Sequence, residues 1–314
     1  MTRFGVILPT YVSSYELVRE VALEAEELGY DSAWLNDHFF PGWLSPELRT
    51  TPCLECWTTI SALAVETTKL RLGTLVLCNN YRHPPILAKM AATLDVVSGG
   101  RLEFGIGAGD LPVEYEAYGL PYPKDSVRIE QLREALEIMK MMWTKEKPSY
   151  TGRYYRIRDV PFNPKPIQKP HPRIWVGSIT GKRRILSVIA EHADFFNVLA
   201  VDPEDYRERM KTLDTLCRKV GRSPEEVERS WFGAVNIFKT EAEADEFLAK
   251  NKPEEVSVEE FTRQRIFGTP EQCIEKINRY IKAGATYFIA NLALYEKPKT
   301  LKLFAEEVIR VFKE

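Results

Sequence analysis

Two short segments carry side chains that can move a proton next to a bound molecule. Asp37 and His38 follow the apolar segment DSAWL (31–35), and Asp110 follows the glycine-rich segment GIGAG (105–109). Histidine titrates near neutrality, and a suitably placed carboxyl group can be tuned to do so, which makes both residue types candidate acids or bases. The alternative for His38 is a packed structural histidine, and residue type alone leaves both interpretations open.

The glycine-rich segment also has two interpretations. Gly105, Gly107 and Gly109 stand at alternate positions, whereas a dinucleotide-binding loop requires G-x-G-x-x-G at the start of a helix. Alternate glycines on a strand remove the side chains from one face, so that either a flat ring or a neighbouring element can approach the backbone closely. Asp110 and Glu114, just beyond, are candidate acids, although a carboxylate in a polar loop is ordinarily solvated.

A third segment has the features of an anion-binding turn. GSITGKRR (177–184) joins a predicted strand to a predicted helix, and the free N–H groups at a helix N-terminus attract anions such as phosphate. Lys182, Arg183 and Arg184 add positive charge beside that turn. An ordinary strand-to-helix turn with a solvated basic face is the alternative.

The elements that position these segments are eight short apolar stretches that alternate with helical patterns. Uninterrupted apolar stretches of this length are typical of buried parallel strands. The predicted strands are residues 3–8, 31–35, 70–77, the stretch that ends in the glycines at 105–109, and residues 173–177, 195–199, 231–238 and 286–290. The predicted fold class is therefore α/β, a (β/α)8 TIM barrel, with a doubly wound sheet in two domains as the alternative.

In such folds ligands bind at the carboxyl ends of the strands. Cys78 follows the third strand, and the glycines at 105–109 end the fourth. One helix joins the two strands; it is opened by Pro84-Pro85 and stopped by the glycines that follow Ser98. We therefore expect the two strand ends to form one wall of a cofactor site. Ser126 is expected to cap a later helix.

Polar or proline-rich segments interrupt the alternation at four places. The predicted insertions lie near residues 40–56, 111–125, 148–171 and 251–268. The third is rich in proline, with alternating aromatic and charged residues, which predicts a hairpin and an arm. Since no shift in composition marks a linker, we expect residues 1–314 to form one domain.

The composition argues against several classes of protein. The chain of 314 residues has a net charge of −2, so the sequence offers no electrostatic case for binding nucleic acid. No apolar stretch reaches the length of a membrane span, and we expect a cytoplasmic protein without membrane contact. The cysteine count of five is odd, and the C-x-x-C pair at 53–56 has no second pair at zinc spacing, so we expect reduced thiols and no metal site.

Over nearly its whole length the chain resembles the luciferase-like superfamily of flavin- and deazaflavin-dependent oxidoreductases. The segments that carry the resemblance are GVILP (5–9), LGYDSAWLNDHF (28–39), LRLGTLVL (70–77), RHPPILAKMAATLDVVSGGRLEFGIGAGD (82–110), IWVGSITG (174–181), HADFFNV (192–198) and GTPEQCIEKI (268–277). The resemblance implies an interrupted (β/α)8 barrel, a homodimer, and a cofactor that is either coenzyme F420 or FMN.

The resemblance also implies roles for individual residues. The Asp37-His38 pair is similar to the F420 branch, where such a pair faces the ring, and that branch has a non-proline cis peptide that aligns with Leu75–Val76. The implied catalytic residues are His38 and Asp110. Together with the strand-end residue Cys78, the expected cofactor contacts are Asp37, His38, Leu75, Val76, Cys78, Gly107, Ala108, Gly109, Gly177, Ser178, Ile179 and Thr180.

The function that the resemblance implies is hydride transfer between coenzyme F420 and a small organic substrate. One alternative is an FMN-dependent monooxygenase that uses reduced flavin and oxygen, and another is a non-catalytic flavin-binding barrel. The sequence has no set of basic residues that matches the sugar-phosphate site of the F420-dependent glucose-6-phosphate dehydrogenases in this branch. The expected partner is therefore a small molecule whose identity the sequence does not reveal.

Overall fold

Eight parallel strands close into a barrel, which confirms the predicted (β/α)8 fold. The structure, a computed structural model, describes residues 2–11, 13–41, 46–179, 181–294 and 299–313. The described strands are β1 (Arg3–Ile7), β2 (Ser32–Leu35), β3 (Arg71–Thr74), β4 (Leu77–Cys78), β5 (Leu102–Gly107), β6 (Tyr150–Thr151), β7 (Arg156–Ile157), β8 (Arg173–Ser178), β9 (Phe195–Leu199), β10 (Glu228–Ile237), β11 (Ile266–Gly268) and β12 (Tyr287–Asn291). The barrel order is β1-β2-β3-β5-β8-β9-β10-β12, and β12 pairs with β1 to close it.

The helices surround the barrel. The described helices are α1 (Tyr15–Glu27), α2 (Cys56–Glu66), α3 (Pro84–Val97), α4 (Pro112–Ala117), α5 (Asp125–Thr144), α6 (Arg183–His192), α7 (Pro203–Lys219), α8 (Glu241–Asn251), α9 (Val258–Thr262), α10 (Pro270–Lys282), α11 (Lys299–Phe304) and α12 (Arg310–Lys313). A π-helical turn joins the last two, and none of the described helices has the length and apolar character needed to cross a membrane.

Sequence signals fix most helix ends. As predicted, α3 opens at Pro84, and Gly99, with a φ of 67°, follows its end. The capping box of Thr269 and Gln272 starts α10. The prediction that Ser126 caps a helix is wrong, because α5 begins at Asp125 and Lys124 stands at its N-cap position. The Asp125 carboxylate in the first turn suits the helix dipole.

The barrel interior is filled by large side chains. Trp175 stacks on Phe195 with ring centroids 3.8 Å apart, and Trp34 meets Trp175 edge-on at 4.6 Å. Gly73 gives Trp34 its space, since a Cβ atom at residue 73 would lie 2.2 Å from the indole ring. Among the described residues, the barrel interior is therefore filled below the carboxyl ends of its strands, as in other barrels of this kind.

The third strand differs from its prediction. Instead of one strand over 70–77, β3 ends at Thr74 and β4 begins at Leu77, and the peptide Leu75–Val76 between them is cis, as the resemblance implied. The Thr74 hydroxyl replaces the missing strand pairing, because it donates to the carbonyl of Gly105 at 2.7 Å and accepts from its N–H at 3.0 Å.

The interrupting segments contain more structure than expected. The hairpin predicted within 148–171 is confirmed by the antiparallel pair β6 and β7. The sequence predicts a loop at 111–125, but this segment contains α4. The predicted insertion at 251–268 contains α9 and β11. Strand β11 forms because β10 extends beyond the barrel wall and offers its last residues for parallel pairing.

Candidate active site

One cavity of about 640 Å³ lies above the barrel, at the carboxyl ends of its strands. This volume is typical of sites for small molecules and cofactors. The predicted site residues that line it are Asp37, His38, Leu75, Val76, Cys78, Gly107, Ala108, Gly109, Asp110, Gly177, Ser178 and Ile179. Thr180 lies outside the described residues. The structure thus brings together residues from segments more than a hundred positions apart in sequence.

The cis peptide and two glycines form the floor of the cavity. The Val76 side chain lies across Gly107 and Gly177, where added Cβ atoms would be 2.9 Å and 3.1 Å from its methyl groups. Gly105 is a packing residue, because a Cβ atom there would lie 1.8 Å from the carbonyl oxygen of Thr74. Of the two interpretations of the alternate glycines, close packing is therefore the correct one for Gly105. A ring in the cavity would contact the backbone of residues 75–76 and the Val76 side chain.

Asp37 is buried, and its carboxylate is held by protein groups. Arg82 donates to both of its oxygens, at 2.7 and 2.9 Å, and the N–H of Cys78 donates to one of them at 2.9 Å. Arg82 also pairs with Glu55. Although burial alone would lower the pKa of Arg82, hydrogen bonds and charge interactions with the two carboxylates raise it, so the guanidinium stays charged. Asp37 therefore braces the ends of β2 and β4.

His38 is held from below by a carboxylate that we did not predict to be buried. Its Nδ1 lies 2.9 Å from Glu114 Oε2, and the Glu114 side chain is fully buried whereas that of His38 is 24% exposed. The Cys53 thiol donates to the carbonyl of His38 at 3.2 Å. The sequence placed Glu114 in a solvated loop; that prediction is wrong because α4 turns the side chain inward against Tyr81.

The same carboxylate ties the neighbouring segments together. Glu114 accepts hydrogen bonds from the N–H of Phe39 at 2.7 Å and from the hydroxyl of Tyr81 at 2.8 Å. Burial alone would raise the pKa of Glu114, but the interactions with His38, Phe39 and Tyr81 outweigh it and lower the pKa below its ordinary value of 4.5. The ring of Phe39 packs between those of Tyr81 and Tyr118, at 4.6 and 4.2 Å, and helps to exclude water.

Asp110 stands at the rim of the cavity. Its side chain is exposed, and the turn that carries it is held by Arg128, which donates to the carbonyl of Gly109 at 3.1 Å and to that of Pro123 at 2.5 Å. The Tyr122 hydroxyl donates to the Asp110 carbonyl at 3.3 Å. The carboxylate can therefore exchange protons with solvent, which suits an acid or base at the edge of a site.

The predicted anion-binding turn opens into the same cavity. Helix α6 begins after Lys182 without a side-chain cap, and Lys182 and Ile185 line the cavity. Ser178 accepts a hydrogen bond from the N–H of Gly181 at 3.0 Å, and Arg209 donates to the carbonyl of Ile179 at 2.8 Å. A helix N-terminus without a side-chain cap beside a lysine is a suitable place for a phosphate group.

The opposite wall has a different character. It is formed by β9, β10, β12 and the residues just after β9 and β12, and the described residues that line it there are Asn197, Leu199, Ala200, Phe232, Gly233, Ala234, Asn291 and Leu294. None of these eight residues carries a charge. This wall therefore offers apolar contact and two amides, in contrast to the polar side around His38.

The two cysteines of the C-x-x-C pair, Cys53 and Cys56, are both among the described residues. Within the described residues no group of three or more His, Cys, Asp or Glu side chains is arranged to hold a metal ion. Cys56 is fully buried as a free thiol, and burial raises the pKa of Cys53 to about 12.

Comparison with known proteins identifies the family. Residues 1–251 match the family described as luciferase-like monooxygenase. The chain belongs to this family. An F420-dependent glucose-6-phosphate dehydrogenase of Microbacterium testaceum is 28% identical over 310 residues, which cover 91% of this chain and 90% of that protein. The 5,10-methylenetetrahydromethanopterin reductase of Archaeoglobus fulgidus is 26% identical, with 98% of each chain covered.

Solved structures share the fold. An F420-dependent secondary alcohol dehydrogenase, in complex with an F420–acetone adduct, superposes with a TM-score of 0.83 and 99% coverage of both chains. Its sequence is 20% identical, so this likeness concerns the fold of the family.

Proposed function

We propose that this protein is an oxidoreductase that transfers hydride between coenzyme F420 and a small organic substrate. The observation that carries the proposal is a cavity that combines a flat backbone floor, an uncapped helix N-terminus and a histidine held by a buried carboxylate. Further support comes from several relatives named as F420-dependent enzymes, whose similarity spans at least 90% of both sequences.

The residues present fit such a cofactor. The backbone at 75–76 and the Val76 side chain, backed by Gly107 and Gly177, offer an even surface for a flat ring. The turn at 177–179 and the start of α6 would hold a phosphate group. When bound, F420 supplies a deazaflavin ring that gives or takes a hydride at C5.

The role that we propose for His38 is proton transfer. When an alcohol is oxidised, a hydride leaves the carbon and the hydroxyl proton needs an acceptor; in the reverse direction the carbonyl oxygen needs a donor. His38 lines the cavity and its imidazole can serve in both directions. Asp110 at the rim would connect the site to solvent protons.

The uncharged wall favours a substrate without a phosphate group. A phosphorylated sugar would have to leave a dianion against Leu199, Phe232 and Leu294, and burying a charge without a partner is costly. We therefore propose a small uncharged alcohol or carbonyl compound. The apolar side chains would contact its carbon skeleton, and Asn291 would hydrogen-bond to a polar group.

The first experiment is a titration of the purified protein with F420 and, separately, with FMN. We expect micromolar F420 binding, weaker FMN binding, and a change in F420 absorbance when an alcohol or carbonyl substrate is added with oxidised or reduced coenzyme. The family description also favours an FMN-dependent monooxygenase. Tight FMN binding, no F420 binding and oxygen-dependent turnover would overturn the proposal, as would F420 binding without hydride transfer to any member of a broad substrate panel.

A matched pair of variants tests the histidine. His38→Ala should lower turnover by about 10²–10⁴-fold while changing the F420 dissociation constant much less, because general acid–base catalysis contributes rate rather than affinity. The control is His83→Ala, an exposed histidine at the start of α3 that does not line the cavity. Equal turnover in the two variants would remove His38 from the mechanism.

A further inference from the structure

The carboxylate of Glu114 is a point at which three segments meet below the cavity. One oxygen accepts from the backbone of Phe39, and the other lies within hydrogen-bond distance of His38 Nδ1 and the Tyr81 hydroxyl. The Glu114 side chain is fully buried. Among the described residues, His38 is the one basic side chain that forms an ion pair with it. A buried carboxylate with three partners holds a fixed position.

We infer that Glu114 is a positioning residue that fixes the tautomer of His38, with the proton on Nδ1 and the lone pair on Nε2. An ionised carboxylate only accepts hydrogen bonds, so the His38 nitrogen 2.9 Å away must donate to it. A neutral imidazole carries one proton, which leaves Nε2 as the basic atom. This assignment of the tautomer does not depend on which reaction the protein catalyses. The use of the tautomer in proton transfer rests on the proposed function.

Glu114 also sets the charge that His38 experiences. The neighbouring Asp37 is paired with Arg82, and burial raises the pKa of the Cys53 thiol to about 12, so that thiol is neutral. The phenol of Tyr81 is neutral as well, because burial and then nearby ionisable groups raise its pKa. The ring of Tyr11 lies 6.3 Å from that of His38. An ionised Glu114 therefore favours a His38 ring that donates from Nδ1.

The tautomer can be measured without any cofactor. In protein labelled with ¹⁵N-histidine, the ring nitrogens of the four histidines report which atom carries the proton, and the His38→Ala variant assigns the His38 signals. We expect neutral His38 to be protonated at Nδ1 in the wild-type protein. In Glu114→Gln we expect a mixture of the two tautomers. Wild-type His38 protonated at Nε2 would overturn the inference, whatever the variants do.

Two control variants separate positioning from general damage. Glu116→Gln removes an exposed carboxylate from the same helix and should not change the tautomer. Tyr81→Phe removes one hydrogen bond to Glu114 but keeps the carboxylate, so the Nδ1 proton should remain. If Glu114→Gln keeps His38 in the wild-type tautomer, Glu114 is only a structural brace and the inference is wrong.

Kinetics of the F420-loaded protein provide the second readout. At metal sites, removing the hydrogen-bond partner that orients a histidine typically costs about 10–100-fold. We expect Glu114→Gln to lower kcat/KM by a similar factor and to leave the F420 dissociation constant within about twofold. Glu114→Asp keeps the charge and should restore part of the rate. A Glu114→Gln variant as fast as the wild-type protein would count against the inference, whereas failure of wild-type protein to bind F420 would overturn only the proposed function.

Discussion

The contact between Gly107 and Val76 allows the cavity floor to be tested by a steric substitution. In Gly107→Ala the new Cβ would lie 2.9 Å from Val76 Cγ2, whereas ordinary carbon–carbon contacts are about 3.5–4.0 Å. The other nearby atom is the carbonyl oxygen of Gly177 at 4.0 Å, so the overlap of about 0.6 Å or more involves Val76 alone. Overpacking of this kind costs about 1–3 kcal/mol, and we expect Gly107→Ala to lower the free energy of unfolding by that amount.

Shortening Val76 should remove the clash. Val76 is half-buried, so Val76→Ala alone should cost about 1 kcal/mol through lost apolar burial. In the double variant Gly107→Ala/Val76→Ala, the added Cβ has space, and we expect a coupling free energy of about 1–2 kcal/mol in favour of the pair. Gly105→Ala is the matched control on the same strand, because its Cβ would meet the Thr74 carbonyl oxygen at 1.8 Å, and Val76→Ala cannot relieve a backbone clash.

The assay is urea unfolding followed by far-ultraviolet circular dichroism and by tryptophan fluorescence. Coincident transitions from the two probes are needed before free energies are compared. Rescue of Gly107→Ala but not of Gly105→Ala by Val76→Ala is the expected result. Equal rescue of both glycine variants, or a Gly107→Ala variant as stable as the wild-type protein, would show that Val76 does not lie across β5 as described.

Two further substitutions test other parts of the structure. The Glu26 carboxylate accepts hydrogen bonds from the N–H groups of residues 68–70 at 2.5–2.8 Å. Burial alone would raise the pKa of Glu26, but these hydrogen bonds lower it below 4.5. The stabilisation from the ionised carboxylate is therefore present above pH 4.5 and is lost as the pH falls through the pKa of the folded state. Glu26→Gln should therefore lower the free energy of unfolding by about 1–3 kcal/mol at pH 7, measured by urea unfolding, and by much less near pH 3, whereas the exposed Glu27→Gln should have little effect at either pH. Lys182→Glu places a negative charge beside the start of α6 and should weaken F420 binding by about tenfold at low salt. The control is Arg184→Glu, because Arg184 does not line the cavity. Equal F420 affinities in the two variants would mean that the phosphate binds elsewhere.

The barrel was predictable because its strands and helices follow the local pattern. The strand cores are buried apolar stretches, and helix starts such as Pro84 and Thr269 carry their own signals. The break in the third strand has no such signal, since Leu75 and Val76 continue the apolar stretch and contain neither proline nor glycine. The resemblance, and not the pattern, implies the cis peptide that the structure has at Leu75–Val76.

The site was predictable in outline because parallel strands bring their carboxyl ends to one edge. His38, Cys78 and Gly107 follow three strands of the barrel and line one cavity. The burial of Glu114 was not predicted, because it depends on which residues pack over the carboxylate. The sequence did contain a signal for the helix that buries it, since Pro112 suits the first position of a helix and Tyr115 follows three residues later on the inward face.

The two carboxylates beside His38, those of Asp37 and Glu114, come from different segments and have different roles. Asp37 is bound by Arg82, which also pairs with Glu55, and by the N–H of Cys78, so it acts on His38 mainly by holding the strand ends. Glu114 is bound by a backbone N–H and a phenol, and it also lies within hydrogen-bond distance of His38 Nδ1. The motif residue adjacent to the histidine therefore holds the strand ends in place, while a residue 76 positions away, on a short helix, orients the imidazole ring.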